Sequence, residues 1–256
     1  MPVQLTESLL NQLIDIVWEA SDVVLRLYQN HFDYSVKSDG SPLTQADLAS
    51  HEIIVQKLQG LTPDIPIISE ENADFEHMEW KNPRQFWLVD PLDGTKEFIH
   101  RNGEFTINVA LIDEHQPVLG VVAAPALKTL YAGFKKGGAI KLDRAGNKKN
   151  IHVISPTNQG LYVVGSRSHG DQAAMEAYLV NKKVTQFIAI GSSLKFCKIA
   201  EGAAHLYPRL GRTMEWDTAA GHAILTAAGG KVERLDGRPL SYGKQGFENP
   251  HFVAKS

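Results

Sequence analysis

Apolar positions recur every three or four residues near the start of the chain, at Leu9, Leu10, Leu13, Ile14, Val17, Val24, Leu25 and Tyr28. That spacing puts them on one face and predicts an amphipathic helix, with Thr6 placed to cap its start. A second helix is predicted to open at Thr44, with Ile53, Ile54, Leu58 and Leu61 on its buried side. The pattern then shortens. IPIIS (Ile65 to Ser69) reads as a strand leading into Glu70 and Glu71, and Gln85 to Val89 as another ending in Asp90. From Phe105, the runs FTINVALI, VLGVVAA and TLYAGFKK are β-rich and joined by Pro- and Gly-bearing turns, which predicts an antiparallel meander. KKGG (Lys135 to Gly138) suits one of those turns.

Beyond about Pro156 strand and helix patterns alternate: LYVVGS, DQAAMEAYLV, TQFIAIGS, SLKFCKIAEG, HLYPRL, then WDTAAGHAILTAAG ending in Gly229-Gly230. Alternation of this kind argues for an α/β lobe. The expectation is an α/β protein with an α+β lobe over residues 1–155 and an α/β lobe over residues 156–256, the seam lying near Asn150 to Pro156.

Composition narrows the function. A chain of 256 residues, 43% of them hydrophobic, can bury the core of one large domain or two intimate lobes, and is not disordered. The net charge is −3 with no long basic run, so a nucleic-acid polymer is not expected as a partner, while single nucleotides stay open. The lone Cys197 has no internal disulfide partner and suits a reducing compartment. MPVQLTESLL lacks the basic and apolar regions of a signal peptide, and no apolar run approaches the roughly 18 residues of a spanning helix. A cytoplasmic protein is expected, with peripheral association to the cytoplasmic face of the inner membrane left open.

The chemistry centres on LVDPLDGTKEF, Leu88 to Phe98. Asp90 stands where an apolar strand ends and Asp93 just before a helix or turn beginning at Gly94. Pro91 fixes φ and removes a competing N–H, so a tight reversal can point both carboxylates the same way. Gly94 lets the backbone approach a ligand, and N–H groups of Gly94 and Thr95 at a helix start favour an anion such as phosphate. Carboxylates beside an anion site make electrostatic sense only with cations between them. Hard divalent cations with oxygen ligands, Mg²⁺ above all, fit that description. Taken alone, Asp93 reads equally well as a helix cap and Asp90 as a turn residue. Glu70-Glu71 after another strand and Asp217 in EWDTAAG at a helix head make a shared metal cluster the better explanation.

DPLDGTKEF, with SEE upstream and WDTAAG far downstream, resembles the lithium-sensitive, Mg²⁺-dependent phosphomonoesterase superfamily that includes the inositol monophosphatases. The resemblance covers nearly the whole chain. KSDGSPLTQAD, GSSLKFC and LYPRLG are more closely similar to its bacterial 3′(2′),5′-bisphosphate nucleotidase branch, the CysQ-type enzymes of sulfur assimilation. The resemblance implies a layered αβαβα sugar-phosphatase-like fold, two or more Mg²⁺ per site, and hydrolysis by metal-activated water. It implies that Glu70, Asp90 and the Leu92 carbonyl hold one Mg²⁺, and that Asp90, Asp93 and Asp217 hold another. Gly94 and Thr95 would donate to the phosphate, which Glu70, Leu92, Asp93 and Asp217 would also surround. Asp47 has two readings. TQAD from Thr44 is a capping-box pattern, whereas the resemblance implies that Asp47 accepts from the Thr95 hydroxyl, making Asp47, Glu70 and Thr95 catalytic.

The substrate is read from the second lobe. Inositol monophosphatases carry a glutamate where this chain, before Gly211 and W-D, carries Arg209, a forked cation that suits a second phosphate. The stretch between Gly211 and Trp216 is one residue longer than in the nucleotidase branch, a departure from its pattern. Ser192 and Lys195 in GSSLKF, and Ser166 and His169 in SRSH, match motifs that in that branch contact the nucleoside and its 5′-phosphate. Taken singly, each reads better as an ordinary strand–helix turn with a surface lysine; together with Arg209 they make a basic, hydroxyl-rich pocket. Lys37 and Asp39 lie on the loop before Thr44 and are open to an active-site role. The implied activity is hydrolysis of 3′-phosphoadenosine 5′-phosphate to AMP and phosphate, with the 5′-phosphosulfate analogue as a further substrate. Inositol-1-phosphate hydrolysis, fructose-1,6-bisphosphate hydrolysis and a non-enzymatic nucleotide-binding role remain as alternatives. There is no His or Cys spacing for structural zinc and no GxSxG nucleophile motif.

Overall fold

Thr6 does cap the first helix: its hydroxyl accepts from the Leu9 N–H at 3.1 Å, and α1 runs from Glu7 to Gln29. The chain is described by a computed structural model over residues 3–30, 34–36, 42–72, 81, 83–167 and 172–256. A short antiparallel pair, β1 (Tyr34–Val36) and β2 (Pro42–Thr44), leads into α2 (Gln45–Leu61). Next come β3 (Ile67–Ser69), shorter than the IPIIS run predicts, and β4 (Gln85–Asp93), longer than predicted. The helical turn α3 (Thr95–Ile99) follows. The predicted meander is present as β5 (Thr106–Asp113), β6 (Gln116–Ala124) and β7 (Thr129–Phe134). It continues through β8 (Gly138–Asp143) and β9 (Lys148–Ile151), with Lys135 to Gly137 turning between β7 and β8. These strands form a seven-stranded sheet in the order β3-β4-β5-β6-β7-β8-β9, antiparallel except for the β3–β4 pair.

The second half alternates as its pattern predicts: β10 (Leu161–Ser166), α4 (Gln172–Leu179), β11 (Val184–Ile190), α5 (Leu194–Ala200), β12 (Leu206–Arg209) and α6 (Glu215–Ala227). Two further strands, β13 (Lys231–Arg234) and β14 (Phe252–Lys255), complete a five-stranded sheet ordered β11-β10-β12-β14-β13. In it β10, β11 and β12 run parallel, and β14 runs antiparallel to both of its neighbours.

Alternation along the strands decides which layers touch. Trp87 and Val89 of β4 face the cluster built on α1 and α2, whereas Phe86 and Leu88 face the cluster that includes α5 and α6. The five-stranded sheet turns Val164, Tyr207, Phe252 and Ala254 to the same central helices, and Val163, Leu206 and Val253 outward toward Tyr178 and Leu179 of α4. The layers are therefore α1/α2, sheet, α5/α6, sheet, α4: an αβαβα stack. Close approach at its centre needs Gly120, where a Cβ would meet the Ala220 carbonyl oxygen of α6 at 2.5 Å. Among the described residues no helix is long and apolar enough to cross a membrane.

Candidate active site

The first departure from sequence expectation is at Asp90. The chain does not reverse there; β4 continues through Pro91 to Asp93. Asp90 pairs with Asn108 and Asp93 with Thr106, so three steps on β4 oppose two on β5. That is a one-residue bulge. In a regular strand, residues three apart point to opposite faces, and the extra residue cancels the odd spacing. The bulge, rather than a hairpin turn, turns the two carboxylates toward the same side. Pro91 fits here because the bulge interrupts a ladder to which it could not donate. Ser50 of α2 donates to the Pro91 carbonyl at 2.8 Å and pins the bulge from below.

Carboxylate oxygens of Glu70, Asp90 and Asp217 come within 4.8 Å of one another. The bulge brings Asp90, the end of β3 brings Glu70, and the start of α6 brings Asp217. Glu70 is fixed by its own N–H, which donates to the Val89 carbonyl at 3.1 Å. The turn role expected of Asp90 is real as well, its Oδ1 accepting from the Leu92 N–H at 3.1 Å, and Asp217 Oδ2 accepts from the Met214 N–H at 2.8 Å at the start of α6; Asp93 makes no cap bond, because the N-cap of α3 is Gly94. Each role occupies one carboxylate oxygen and leaves the other for a ligand. Asp93 stands outside this trio but within its field.

Burial and crowding raise these acids together. Burial pushes the Asp90 carboxyl well above the usual range, and Glu70, Asp93 and Asp217 push it further. Asp217 is pushed up to about 8 by burial, then by Asp93 and Glu70, against the opposing Met214 N–H and Arg209. Asp93 is raised to about 6 by burial, opposed by Lys195 and by hydrogen bonds from Ser193 and Asn108. Such a cluster is strained as bare carboxylates and relieved by a divalent cation. Its all-oxygen donor set fits Mg²⁺.

Asp47 makes the contacts of both readings. Its Oδ2 accepts from the Thr44 N–H at 2.8 Å and the Thr44 hydroxyl at 2.6 Å, the capping box of α2. Its Oδ1 accepts from the Thr95 hydroxyl at 3.3 Å, which lies equally close to the Leu92 carbonyl. Gly94, between Asp93 and Thr95, adopts φ 87°, a left-handed conformation that favours glycine.

The second-lobe residues collect at the carboxyl ends of the parallel strands, where open α/β sheets bind ligands. Ser166 ends β10 opposite Ile190, the last residue of β11. Ser192 follows with φ 47°, and its Oγ is buried without a hydrogen-bond partner among the described residues. Arg209 ends β12, buried, with Nη2 donating to the Arg212 carbonyl at 2.6 Å. Lys195, 4% exposed, donates to the Ile190 carbonyl at 3.2 Å and to the Ser192 carbonyl, lies over the Tyr207 ring, and is lowered to about 8 by burial. These contacts leave Lys195 one further N–H. His169, Lys37 and Asp39 lie outside the described residues.

Sequence reading missed the groups behind the acids: Thr106, Asn108 and Ser193 around Asp93, and Glu104 beneath the 191–193 loop. Glu104 accepts from the Gly191 N–H at 2.8 Å and takes a two-bond clasp from Arg167 at 2.8 and 2.9 Å. The available signal was Thr106 and Asn108 at i and i+2 within the apolar run FTINVALI, a polar stripe on one strand face.

A family model described as "Inositol monophosphatase family" matches residues 5–254. The 3′(2′),5′-bisphosphate nucleotidase CysQ of Salmonella typhimurium is 46% identical over 95% of this chain and 98% of its own. The protein of the same name from Buchnera aphidicola is 43% identical over 97% of this chain and 94% of its own. The crystal structure of CysQ from Bacteroides thetaiotaomicron superposes with a TM-score of 0.84 at 36% identity, over 98% of this chain and 97% of that one. With a family model spanning almost every residue and relatives this similar from end to end, the chain belongs to the inositol monophosphatase family.

Proposed function

We propose that this protein is a Mg²⁺-dependent 3′(2′),5′-bisphosphate nucleotidase. It adds water across the 3′-phosphoester of 3′-phosphoadenosine 5′-phosphate to give AMP and inorganic phosphate, and acts likewise on the 5′-phosphosulfate analogue. The observation that carries this reading is the pairing of opposite charges in one buried site. An acid trio able to hold a cation stands within the field of two buried cations, Arg209 and Lys195. A monophosphate needs only the first half of that arrangement, and a bisphosphate uses both. The CysQ names of the similar proteins support the same choice.

In this reading Glu70, Asp90, Asp93, Asp217 and the Leu92 carbonyl would hold two Mg²⁺. Bound there, Mg²⁺ would supply charge neutralisation for the phosphoryl oxygens and lower the pKa of the attacking water. Thr95 gives its proton to Asp47 and so keeps its lone pairs toward the attacking water, which it orients and whose proton it can receive. The Thr44 bonds on the other Asp47 oxygen keep that carboxylate from rotating away. Gly94 presents backbone to the cleaved phosphate. Ser192, Ser166, His169, Lys195 and Arg209 take the nucleoside and the phosphate that is kept.

The test is a substrate-dependent loss. A charge-assisted contact to phosphate contributes roughly 1.5–3 kcal/mol, or about ten- to more than a hundredfold in kcat/KM. Arg209→Ala should lose that much on 3′-phosphoadenosine 5′-phosphate and little on 3′-AMP or inositol-1-phosphate, which lack the second phosphate. Equal losses on all three esters would assign Arg209 to the fold or the cleaved phosphate, and the bisphosphate reading would fall.

A further inference from the structure

Asp93 is held by a network that joins the two sheets. Thr106 and Asn108 leave the same face of β5 beside the bulge, and Ser193 closes the set from the loop after β11. All three are at most 2% exposed. The Ser193 N–H donates to Asp93 Oδ2 at 2.6 Å, and Thr106 Oγ1 and Asn108 Nδ2 approach the same oxygen at 3.4 Å. Among the described residues no hydrogen bond reaches Asp93 Oδ1.

Counting protons orders the network. The Ser193 hydroxyl donates to Asn108 Oδ1 at 2.6 Å. Its only proton is then committed, so in the 2.9 Å bond between the Ser193 and Thr106 hydroxyls Thr106 is the donor. Asp93 Oδ2 therefore keeps the Ser193 N–H as its strong donor and the Asn108 amide as its weaker one. The same hydroxyl–amide bond fixes which end of Asn108 faces the carboxylate. An amide turned the other way would set its oxygen against the Asp93 carboxylate, two acceptors facing each other, and would remove the weaker donor from Oδ2.

Resting on the metal reading above, we infer that Asn108 and Ser193 are positioning residues for the cation site. They hold Asp93 by Oδ2 and leave Oδ1 as the oxygen a cation can use. They also tie that setting to the 191–193 loop, which carries Ser192 and leads into Lys195 in the first turn of α5. Residues that orient metal ligands in this way typically change metal affinity about ten- to a hundredfold when removed.

The experiment is calorimetric titration of chelator-treated protein with Mg²⁺ alone, without substrate. It compares the wild type with Asn108→Ala, Ser193→Ala, Asp93→Asn and the Asn108→Ala/Asp93→Asn double variant, with circular dichroism on each sample. Asn108→Ala should weaken Mg²⁺ binding at least about tenfold. Ser193→Ala, which keeps its N–H, should weaken it severalfold. In the Asp93→Asn background, Asn108→Ala should add less than about twofold, because its effect passes through Asp93. Wild-type affinity in Asn108→Ala, or the same loss with and without Asp93, overturns the inference and leaves the metal reading standing. Should Asn108→Ala not fold, unchanged affinity in Ser193→Ala overturns it alone. Absence of Mg²⁺ binding by the wild type overturns the metal reading and the inference together.

Discussion

Asp90, Asp93 and Asp217 each combine a structural bond on one oxygen with a carboxyl raised by burial and by its neighbours, and this gives the metal-free protein a definite pH dependence. Burial raises Asp93 to about 6 and Asp217 to about 8, both above the ordinary unfolded value of about 3.9. The folded chain therefore holds more protons than the unfolded chain across that interval. Its metal-free stability is greatest below the unfolded pKa and is lost as pH rises through about 6 and then about 8. Mg²⁺ needs the ionised forms and so relieves a penalty that grows with pH. Thermal unfolding with Mg²⁺ and with chelator should show a Mg²⁺-induced rise in Tm that is several degrees larger at pH 8.5 than at pH 5.5. Equal increments would contradict the cluster. The acids were legible because their spacing behind apolar runs is a local pattern. Asn108, Ser193 and Glu104 were not, because what they do depends on partners 15 to 100 positions away.

At the scale of elements, α2 has its first turn in common with the site. Asp47 closes the capping box of α2 with one oxygen and receives Thr95 with the other. Thr95→Ala should therefore lower kcat with little change in stability. Asp47→Ala should lower kcat and also cost roughly 1 kcal/mol or more through the capping-box hydrogen bonds lost at Thr44. In the double variant the kcat loss should fall well short of the product of the two single losses, since the pair acts as a unit. Steady-state kinetics and urea unfolding on the same preparations check both halves, and multiplicative kcat losses would leave Asp47 a cap only. The α1 and α2 starts were readable because caps and helical periodicity lie within a few residues. The course of β4 through Pro91 was not, since proline ordinarily ends a strand and only the register with β5 makes the bulge. β13 and β14 also escaped, being four residues each and defined by pairing with one another and with distant β12.

For the whole molecule, the layering explains why the two lobes expected at residues 1–155 and 156–256 read as distinct in sequence while sharing a core. Strand texture changes at the seam, but Phe86 and Leu88 of the first sheet and Tyr207 and Phe252 of the second belong to one cluster around α5 and α6. Neither sheet can expose that face alone, so we propose that the lobes unfold together. Fluorescence of Trp87 and Trp216, one on each side of the seam, should follow a single urea transition in variants that retain one or the other. Two separated midpoints would make the lobes independent. The site lies where the layers meet, with most of its acids from the strands of the first sheet and its cations from β12 and α5 in the second half of the chain. That division underlies the central claim of a metal-dependent bisphosphate nucleotidase. The most direct measurement is phosphate release from 3′-phosphoadenosine 5′-phosphate and from inositol-1-phosphate, side by side, with Mg²⁺ and with excess chelator. The account expects kcat/KM on the nucleotide to exceed that on the inositol ester by at least about tenfold, the contribution of one charged phosphate contact, and both activities to vanish with chelator. Preference for the inositol ester, or turnover that survives chelation, would contradict it.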